Sequence, residues 1–230
     1  MLSIVGTPIG NLEDISIRQG RVILDAEYVL AENTSSAGVL LSELERIFEQ
    51  QKNVDQKVIH YAKENEMDKT PQVLELLKEG KDIALISEAG LPLFSDPGYL
   101  LVSHVIKDEL PFTVIPGPTA AITALLHSGF QAKQFFFVGF LPKKENDIKR
   151  LLGKLYVTSE TIAGTVFAAY ESPNRILDSL HIFQELYPTA HIAVCRELTK
   201  KFEEVRRGTA SELLHYVYKG EISLVFHFDV

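Results

Sequence analysis

Three turns rich in glycine and proline each follow a short run of strand-forming residues directly. The turns are 6–11, 87–92 and 116–121, and the runs before them are 2–5, 82–86 and 112–115. Glycine permits close backbone approach, and proline ends a strand because it lacks an amide donor. In open α/β sheets, ligands bind at such turns at the carboxyl ends of strands. The pattern predicts a ligand pocket lined largely by main chain.

The residue types and their spacing only weakly indicate a metal site or a catalytic nucleophile. The seven histidines show no ligand spacing, one cysteine cannot make a zinc site, and the chain has no Gly-x-Ser-x-Gly elbow. Cys195 ends an apolar strand, which predicts an inert core thiol. Glu171 and Glu197 each end a predicted strand, where a carboxylate can accept hydrogen bonds from a ligand or cap the next helix.

Strand-like runs alternate with helical patterns through the first half of the chain, which predicts a parallel, doubly wound sheet. We expect Asp14 to cap the first helix, and Thr70 with Pro71 to begin the third. In the second half, the strand-like run 201–208 follows another strand directly, which implies antiparallel pairing and a mixed sheet. The predicted fold class is α/β, with two α/β domains, 1–115 and 116–230.

Composition and charge indicate the compartment of the protein and which kinds of partner it can bind. The single cysteine fits a reducing cytoplasm, no signal peptide precedes the first turn, and no apolar run approaches the ~18 residues of a membrane span. We therefore expect a soluble cytoplasmic protein. The net charge of −8 argues against a generally basic nucleic-acid binder. Lys and Arg nevertheless cluster in 143–150 and 196–207, where interleaved carboxylates leave open the alternative of plain solvated faces.

Seven stretches of the chain resemble the tetrapyrrole methylase superfamily, the class III S-adenosylmethionine (SAM)-dependent methyltransferases. Within it they resemble the branch that methylates small-subunit ribosomal RNA. The stretches, in the order of the family, are GTPIGNLEDIS from Gly6, SEAGLPLFSDPGYLLV from Ser87, IPGPTAAITALLHSG from Ile115, GFLPKK from Gly139, YESPNRILDSL from Tyr170, RELTKKFEEVRRG from Arg196 and KGEISLV from Lys219.

The resemblance implies two α/β domains with SAM folded in the cleft between them. It also implies methylation of the 2′-hydroxyl of a cytidine in the decoding region, no metal, and usually a homodimer. Mapped by motif, the implied cofactor residues are Pro8, Ile9, Gly90, Leu91, Pro92, Phe94, Thr119, Ala120, Tyr170, Leu198 and Glu221. The family usually has Asp and Arg where this chain has Asn33 and Ser35, and Asp and Thr where it has Glu88 and Leu91.

A ribose hydroxyl is a weak nucleophile, so a carboxylate or lysine within hydrogen-bond reach would help it lose its proton. We hypothesise that this group is Glu171, Glu197 or Lys200. The residues expected to contact RNA are Lys143, Lys144, Arg175, Arg196, Lys201, Arg206 and Arg207. Because the whole chain is acidic, we expect its affinity for free RNA to be low and an assembled 30S subunit to be a better substrate than naked rRNA.

Two other functions are left open by the sequence. The chain could be a SAM-dependent methylase of a tetrapyrrole or another small molecule, with no use for its basic clusters. It could also be a non-catalytic module that binds SAM or a nucleotide, which the departures at Asn33, Ser35 and Glu88 suggest.

Overall fold

A computed structural model of the protein describes residues 1–93 and 96–229. Residue contacts divide the chain into two compact units, Met1–Thr119 and Ala120–Val230. The domain boundary at residue 115 stays a prediction, because contacts do not test whether either part folds alone. In the described residues, no helix has the length and apolar character needed to cross a membrane.

In its described residues, the first unit alternates five strands with four helices. The strands are β1 (Leu2–Val5), β2 (Tyr28–Ala31), β3 (Lys57–His60), β4 (Ile83–Ile86) and β5 (Phe112–Ile115). The helices are α1 (Ile17–Asp25), α2 (Thr34–Phe48), α3 (Glu66–Lys78) and α4 (Tyr99–Lys107). Every neighbouring pair is parallel, in the order β3-β2-β4-β1-β5. The predicted parallel, doubly wound sheet is confirmed.

Alternate residues of β4 divide the core of the first unit into two layers. Ala84 and Ile86 belong to the apolar cluster that includes α1 and α2, whereas Ile83 and Leu85 belong to the cluster that includes α3 and α4. The isoleucine and leucine side chains each contribute about 1.5–3 kcal/mol when fully buried. Because all five strands are parallel, their carboxyl ends lie at one edge of the sheet. The turns after β4, β1 and β5 are therefore neighbours at that edge.

The first helix does not begin where the sequence suggested. Asp14 lies in a short 3₁₀ turn, Leu12–Asp14, and the residue that caps α1 is Ser16. The Ser16 hydroxyl accepts from the Gln19 amide at 3.2 Å, and the Gln19 side chain accepts from the Ser16 amide at 2.6 Å. This reciprocal capping box satisfies two amides that Asp14 would have left open.

The third helix also begins earlier than predicted. Its N-cap is Asn65 rather than Thr70, and Pro71 lies inside the helix. The Thr70 hydroxyl donates to the Glu66 carbonyl at 2.7 Å, so it bonds back along the helix instead of capping it. The Thr-Pro pair predicts a helix start because proline is favoured in the first turn, but here the pair lies inside a longer helix that begins at Glu66.

The second unit carries a mixed sheet, as predicted. Its strands are β6 (Gln134–Phe140), β7 (Thr165–Glu171), β8 (His191–Arg196), β9 (Glu204–Gly208) and β10 (Ile222–His227). Its helices are α5 (Ala120–Ser128), α6 (Glu145–Thr161), α7 (Ile176–Leu186) and α8 (Ala210–Leu213). The order is β6-β7-β10-β8-β9, with β6 parallel to β7 and the other pairs antiparallel.

Cys195 lies in the core of this unit, on β8. Its thiol is fully buried and lies 3.8 Å from the Ala124 carbonyl of α5. Burial raises the pKa of the Cys195 thiol to about 12. A thiol that stays protonated is a poor nucleophile, which agrees with the predicted inert role.

Candidate functional site

The first two glycine-rich turns of the first unit are joined by main-chain hydrogen bonds. The Thr7 amide donates to the Gly90 carbonyl at 2.8 Å, and the Gly90 amide donates to the Thr7 carbonyl at 3.1 Å. The Ser87 hydroxyl also donates to the Gly90 carbonyl, at 2.8 Å. These bonds fix the turn after β4 against the turn after β1.

The third turn packs on the first through two facing glycines. A Cβ added to Gly6 would lie 2.9 Å from the Cα of Gly117, and a Cβ added to Gly117 would lie 2.5 Å from Nε2 of Gln19. The buried Gln19 side chain donates to the Gly6 carbonyl at 2.6 Å. Because no side chain fits between these two backbones, glycine is required at both positions.

Two of the predicted cofactor residues of the first unit, Ile9 and Gly90, lie against each other where the three turns adjoin. Gly90 has a φ of +86°, and a Cβ there would lie 3.4 Å from both the Ile9 side chain and the Pro118 carbonyl. Pro8, Ile9 and Pro92 are buried, while Leu91 and Thr119 are partly buried. Ala120 begins α5 in the second unit, and Phe94 lies outside the described residues. The surface formed by these turns is apolar side chain and main chain.

Glu66, on α3, fixes the start of α4, which follows the second turn in the chain. One oxygen of its carboxylate accepts from the amides of Gly98 and Leu100, at 3.0 and 2.9 Å, and so caps α4. An acid in this place satisfies amides that the helix itself leaves open and interacts favourably with the helix dipole. Sequence reasoning missed Glu66, because its partners lie 32 and 34 residues further along the chain.

An acidic group lies at the same edge of the first sheet. Desolvation raises the pKa of Asp96 to about 6, with repulsion from Glu32 and Glu88 adding to the rise and attraction to Lys63 opposing it. Its raised pKa brings this carboxyl closer to neutral pH than an ordinary aspartate.

We expect Asp96 to give the protein a measurable pH dependence of stability. The pKa of Asp96 in the folded protein, about 6, lies above its ordinary value of 3.8, so folding favours the protonated carboxyl. The free energy of unfolding is therefore highest below about pH 4 and falls as the pH rises through about 6. The loss should be about 1–2 kcal/mol, less than the full conversion of the shift because the side chain is partly in solvent. Urea unfolding of wild type and Asp96→Asn at both pH values measures it.

Asp68→Asn, at an exposed position on α3, is the control for removal of one carboxylate. The Asp96→Asn protein should lack the wild-type decline, and the Asp68→Asn protein should keep it. Equal pH slopes for wild type and Asp96→Asn would contradict the assignment.

In the second unit, Glu171 is a buried carboxylate with its oxygens occupied. It pairs with Arg175 at 2.5 Å, and it accepts from the Ser172 amide and the Ser179 hydroxyl, each at 2.6 Å. None of its side-chain surface is exposed. A base must reach the proton that it removes. The contacts favour a structural role, and the catalytic assignment of Glu171 stays a prediction.

The Arg175 guanidinium also has protein partners for its hydrogen-bond donors. Its guanidinium donates to the Pro142 carbonyl at 3.0 Å and to the Leu141 carbonyl at 3.4 and 3.5 Å, in addition to its pair with Glu171. These bonds use the donors that a phosphate would need. Arg175 therefore holds the segment that precedes Lys143.

The other three predicted RNA-binding arginines also have partners. Arg196 donates to the Lys219 carbonyl at 3.0 Å. Arg206 pairs with Glu204 at 2.5 Å and lies 4.0 Å above the Tyr216 ring. Arg207 donates to the carbonyls of His127 and Ser128, each at 3.1 Å, at the end of α5.

The lysines among the RNA-binding candidates differ from the arginines. Lys143, Lys144 and Lys201 are exposed, and none of them has a carboxylate within salt-bridge distance in residues 1–93 and 96–229. Lys149, by contrast, is paired with Glu145 and Glu185. Three of the seven candidates are thus available for phosphate without breaking an existing ion pair.

Glu197, Lys200 and Glu221 form a compact charged cluster. One Glu197 oxygen accepts from the Glu221 amide at 2.9 Å and from the Lys200 ammonium at 3.2 Å, and Lys200 also pairs with Glu221 at 3.0 Å. The Glu221 amide lowers the pKa of Glu197, and Lys200 lowers it further against the effect of burial. Burial opposes ionisation of Lys200, but its bonds to Glu221 and Glu197 outweigh that and raise its pKa. The lowered pKa of Glu197 and the raised pKa of Lys200 keep the first a carboxylate and the second an ammonium at neutral pH, so both are weak proton acceptors in this arrangement.

The remaining cofactor candidates of the second unit are placed on or beside its sheet. Tyr170 is a partly buried residue of β7, and its ring contacts those of Phe137 and Phe140. Leu198 is buried in the turn after β8, whereas the Glu221 side chain is 75% exposed. In the described part of the chain, no group of His, Cys, Asp and Glu residues is placed to hold a metal ion.

The sequence is similar to that of known methyltransferases over nearly its whole length. Residues 1–214 match the family model of the tetrapyrrole (corrin/porphyrin) methylases. Ribosomal RNA small subunit methyltransferase I of Halalkalibacterium halodurans is 38% identical over 97% of this chain and 74% of its own length. The protein of the same name from Thermotoga maritima is 37% identical over 97% of this chain and 96% of its own length.

A solved structure agrees at the level of the fold. Uroporphyrin-III-C-methyltransferase from Thermus thermophilus superposes with a TM-score of 0.61 at 19% identity, over 97% of this chain and 93% of that one. The family match and the two relatives carry the stronger conclusion, because they extend over nearly the whole sequence. The chain belongs to the tetrapyrrole (corrin/porphyrin) methylases.

Proposed function

We propose that this chain is a SAM-dependent methyltransferase that methylates the 2′-hydroxyl of a cytidine in the decoding region of small-subunit rRNA, in the cytoplasm. One observation carries the proposal: two relatives named as small-subunit rRNA methyltransferases are 37% and 38% identical to nearly the whole chain. SAM is the methyl donor and is consumed as a substrate.

The adjoined turns of the first unit are the proposed binding surface for SAM. Gly90 has a left-handed φ, and the facing pair Gly6 and Gly117 bring the turns after β1 and β5 into contact, so that main chain forms much of this surface. Leu91, which is partly buried, supplies apolar surface suited to the adenine ring and the methionine chain, and the buried Ile9 lies against Gly90 beside it. Pro8, Pro92, Phe94, Thr119 and Ala120 complete the proposed set in this part of the chain, and Tyr170, Leu198 and Glu221 are the proposed set in the second unit.

Methyl transfer from a sulfonium is an in-line displacement by a donor that is already activated. Alignment of the ribose oxygen with the methyl carbon is the main task of the protein, and such alignment can contribute up to about 7–11 kcal/mol. One of Glu171, Glu197 and Lys200 is the proposed proton acceptor, and Glu171 carries the least weight because its buried oxygens are already bonded. Single-turnover methylation by an alanine variant at each position tests this role, and unchanged rates in all three would remove it.

Lys143, Lys144 and Lys201 are the proposed phosphate contacts, supported by their exposure and lack of ion pairs in the described residues. Arg175, Arg196, Arg206 and Arg207 are proposed as RNA contacts of lesser weight, because each already has protein partners. We also propose that the protein acts as a homodimer on the assembled 30S subunit, where ribosomal proteins and folded RNA supply contacts that an acidic chain lacks for naked RNA.

The test of this function is transfer of labelled methyl from SAM to rRNA. Purified protein should methylate 30S subunits from cells that lack this gene product, and mass spectrometry should locate the methyl on a cytidine ribose. Naked rRNA should react more slowly. Equal rates for the two substrates would contradict the preference for 30S, and no methylation of either would contradict the function.

The alternative of a small-molecule methylase is distinguished by charge reversal. Lys143→Glu with Lys144→Glu should slow methylation of 30S subunits strongly, because phosphate contacts are lost and repulsion is added. A small uncharged acceptor would be methylated at the wild-type rate by the same variant. A non-catalytic module would bind SAM in calorimetry and transfer no methyl group.

A further inference from the structure

An exposed aromatic ring lies at the carboxyl end of β6, outside the proposed cofactor set. Phe140 is 58% exposed. Its ring centroid lies 5.4 Å from that of Tyr170, at 66° between the planes, and Tyr170 in turn lies 4.8 Å from Phe137. An exposed phenyl ring held by a second ring is a preformed apolar surface.

A β-bulge directs Phe140 to this position. Phe137 pairs with Ala168 and Phe140 pairs with Tyr170, so three steps along β6 match two along β7. Residues three apart in a regular strand point to opposite faces, whereas here Phe137 and Phe140 share one face. Gly139, with a φ of +73°, supplies the left-handed residue within this irregularity.

The segment after Phe140 is held to the sheet and to α7. The Leu141 amide donates to the Tyr170 carbonyl at 3.0 Å, and the Leu141 side chain is buried in the core. Arg175 binds the carbonyls of Leu141 and Pro142, and the buried Glu171 holds Arg175. Lys143 and Lys144 come next in the chain and are exposed. An aromatic ring and two cations are thus displayed on one braced segment.

Such a combination suits single-stranded RNA. Proteins bind unpaired nucleotides by stacking bases on aromatic side chains and by placing cations along the phosphates. Sequence-specific recognition of RNA targets unpaired loops, bulges and ends, whose unstacked bases are free to stack on a protein side chain. We propose that Phe140 is a stacking platform for an unstacked nucleobase of single-stranded RNA, with Lys143 and Lys144 holding the neighbouring phosphates.

A second copy of this chain is the competing occupant of the surface. Leu141 and Pro142 follow Phe140 directly, and the next four residues, 143–146, are all exposed and polar or charged. The centre of an obligate dimer interface is depleted of charged residues, so this surface fits RNA better. The inference deepens the proposed rRNA function and rests on it for the source of the RNA, but the binding experiment below does not require methyl transfer.

The experiment measures fluorescence anisotropy of a labelled short oligocytidylate, and of an abasic strand of the same length, with the full chain at low salt. Phe140→Ala should bind oligocytidylate about tenfold more weakly and bind the abasic strand as wild type does, because stacking contributes about 1–3 kcal/mol per base. Phe140→Trp should retain the affinity. Lys143→Ala with Lys144→Ala should weaken both strands and reduce the salt slope by about 1.4.

Phe136→Ala is the matched control. Phe136 is 42% exposed on the same strand, but it pairs with Phe167 on the opposite face. The Phe136→Ala protein should bind oligocytidylate and the abasic strand with wild-type affinity. Equal oligocytidylate affinity in Phe140→Ala and wild type would overturn the platform, as would a change of molar mass in light scattering confined to Phe140→Ala, which would assign the ring to a dimer contact. Base-dependent binding without methylation of 30S subunits would leave the platform standing and reject the proposed reaction.

Discussion

Replacing Gly117 with alanine is expected to raise the dissociation constant for SAM at least about tenfold, a cost of about 1.4 kcal/mol or more. The added Cβ would lie 2.5 Å from Nε2 of Gln19 and 2.9 Å from the Cα of Gly6. Neither atom can retreat easily, because the Gln19 side chain is buried and bonded to the Gly6 carbonyl. The turn after β5 must therefore move away from the turn after β1. Calorimetric titration with SAM measures the effect.

The expected loss of affinity is steric rather than conformational. Gly117, unlike Gly90, is not in the left-handed region, so alanine can adopt its backbone angles. Overpacking of this kind costs about 1–3 kcal/mol of stability, and the titration is made where circular dichroism shows the variant folded. Wild-type affinity in the folded Gly117→Ala protein would mean that the three turns are not the SAM surface.

Gly38→Ala is the control for a glycine substitution. Gly38 lies in α2, and an added Cβ there would have no atom within 4 Å. Alanine in a helix interior is more favourable than glycine by roughly 0.5–1 kcal/mol. This variant should be slightly more stable than wild type and should bind SAM equally well.

Local patterns were enough to predict the two sheets. In the first unit, regular alternation of apolar runs and helical periods predicted parallel strands, and all neighbouring pairs are parallel. In the second, the short connection before β9 predicted antiparallel pairing, which β8 and β9 form. Both signals are contained within a few residues of the element concerned.

Signals that depend on distant partners were missed. Glu66 has the sequence context of an ordinary acid in the first turn of a helix, yet it caps α4. Arg175 has the context of a phosphate ligand, yet it binds two carbonyls that lie 33 and 34 residues earlier. Sequence spacing predicts which side chains share an element, but not which backbone groups of another element they reach.

Two departures from the usual family motif have local explanations in the structure. Asn33 caps α2, accepting from the amides of Ser35 and Ser36 at 3.0 and 3.1 Å, a role that asparagine fills as well as aspartate. Glu88 accepts from the Ser36 hydroxyl at 3.2 Å. The longer acid thus makes a contact of its own between the turn after β4 and α2.

Replacing Glu171 with glutamine is expected to reduce the free energy of unfolding by about 3 kcal/mol. The change leaves the Arg175 guanidinium, only 27% exposed, without its counter-charge, and breaking a buried ion pair costs about 3–5 kcal/mol. Partial exposure of Arg175 places the estimate at the low end of that range. Urea unfolding measures the loss, and the double variant Glu171→Gln with Arg175→Met should be less unstable than the sum of the single variants, because the unpaired charge is gone.

The same variant separates a structural role of Glu171 from a catalytic one. Glu185→Gln is the control, since Glu185 pairs with Lys149 at the surface, where an ion pair contributes about 0–1 kcal/mol. If Glu171 braces the segment before Lys143, its replacement lowers stability and weakens RNA binding, while single-turnover methylation at saturating 30S subunits falls only modestly. If Glu171 is the base, the single-turnover rate at saturating 30S subunits falls by about 10²–10⁴-fold even where the variant is fully folded. The burial and saturated contacts of this carboxylate predict the first result.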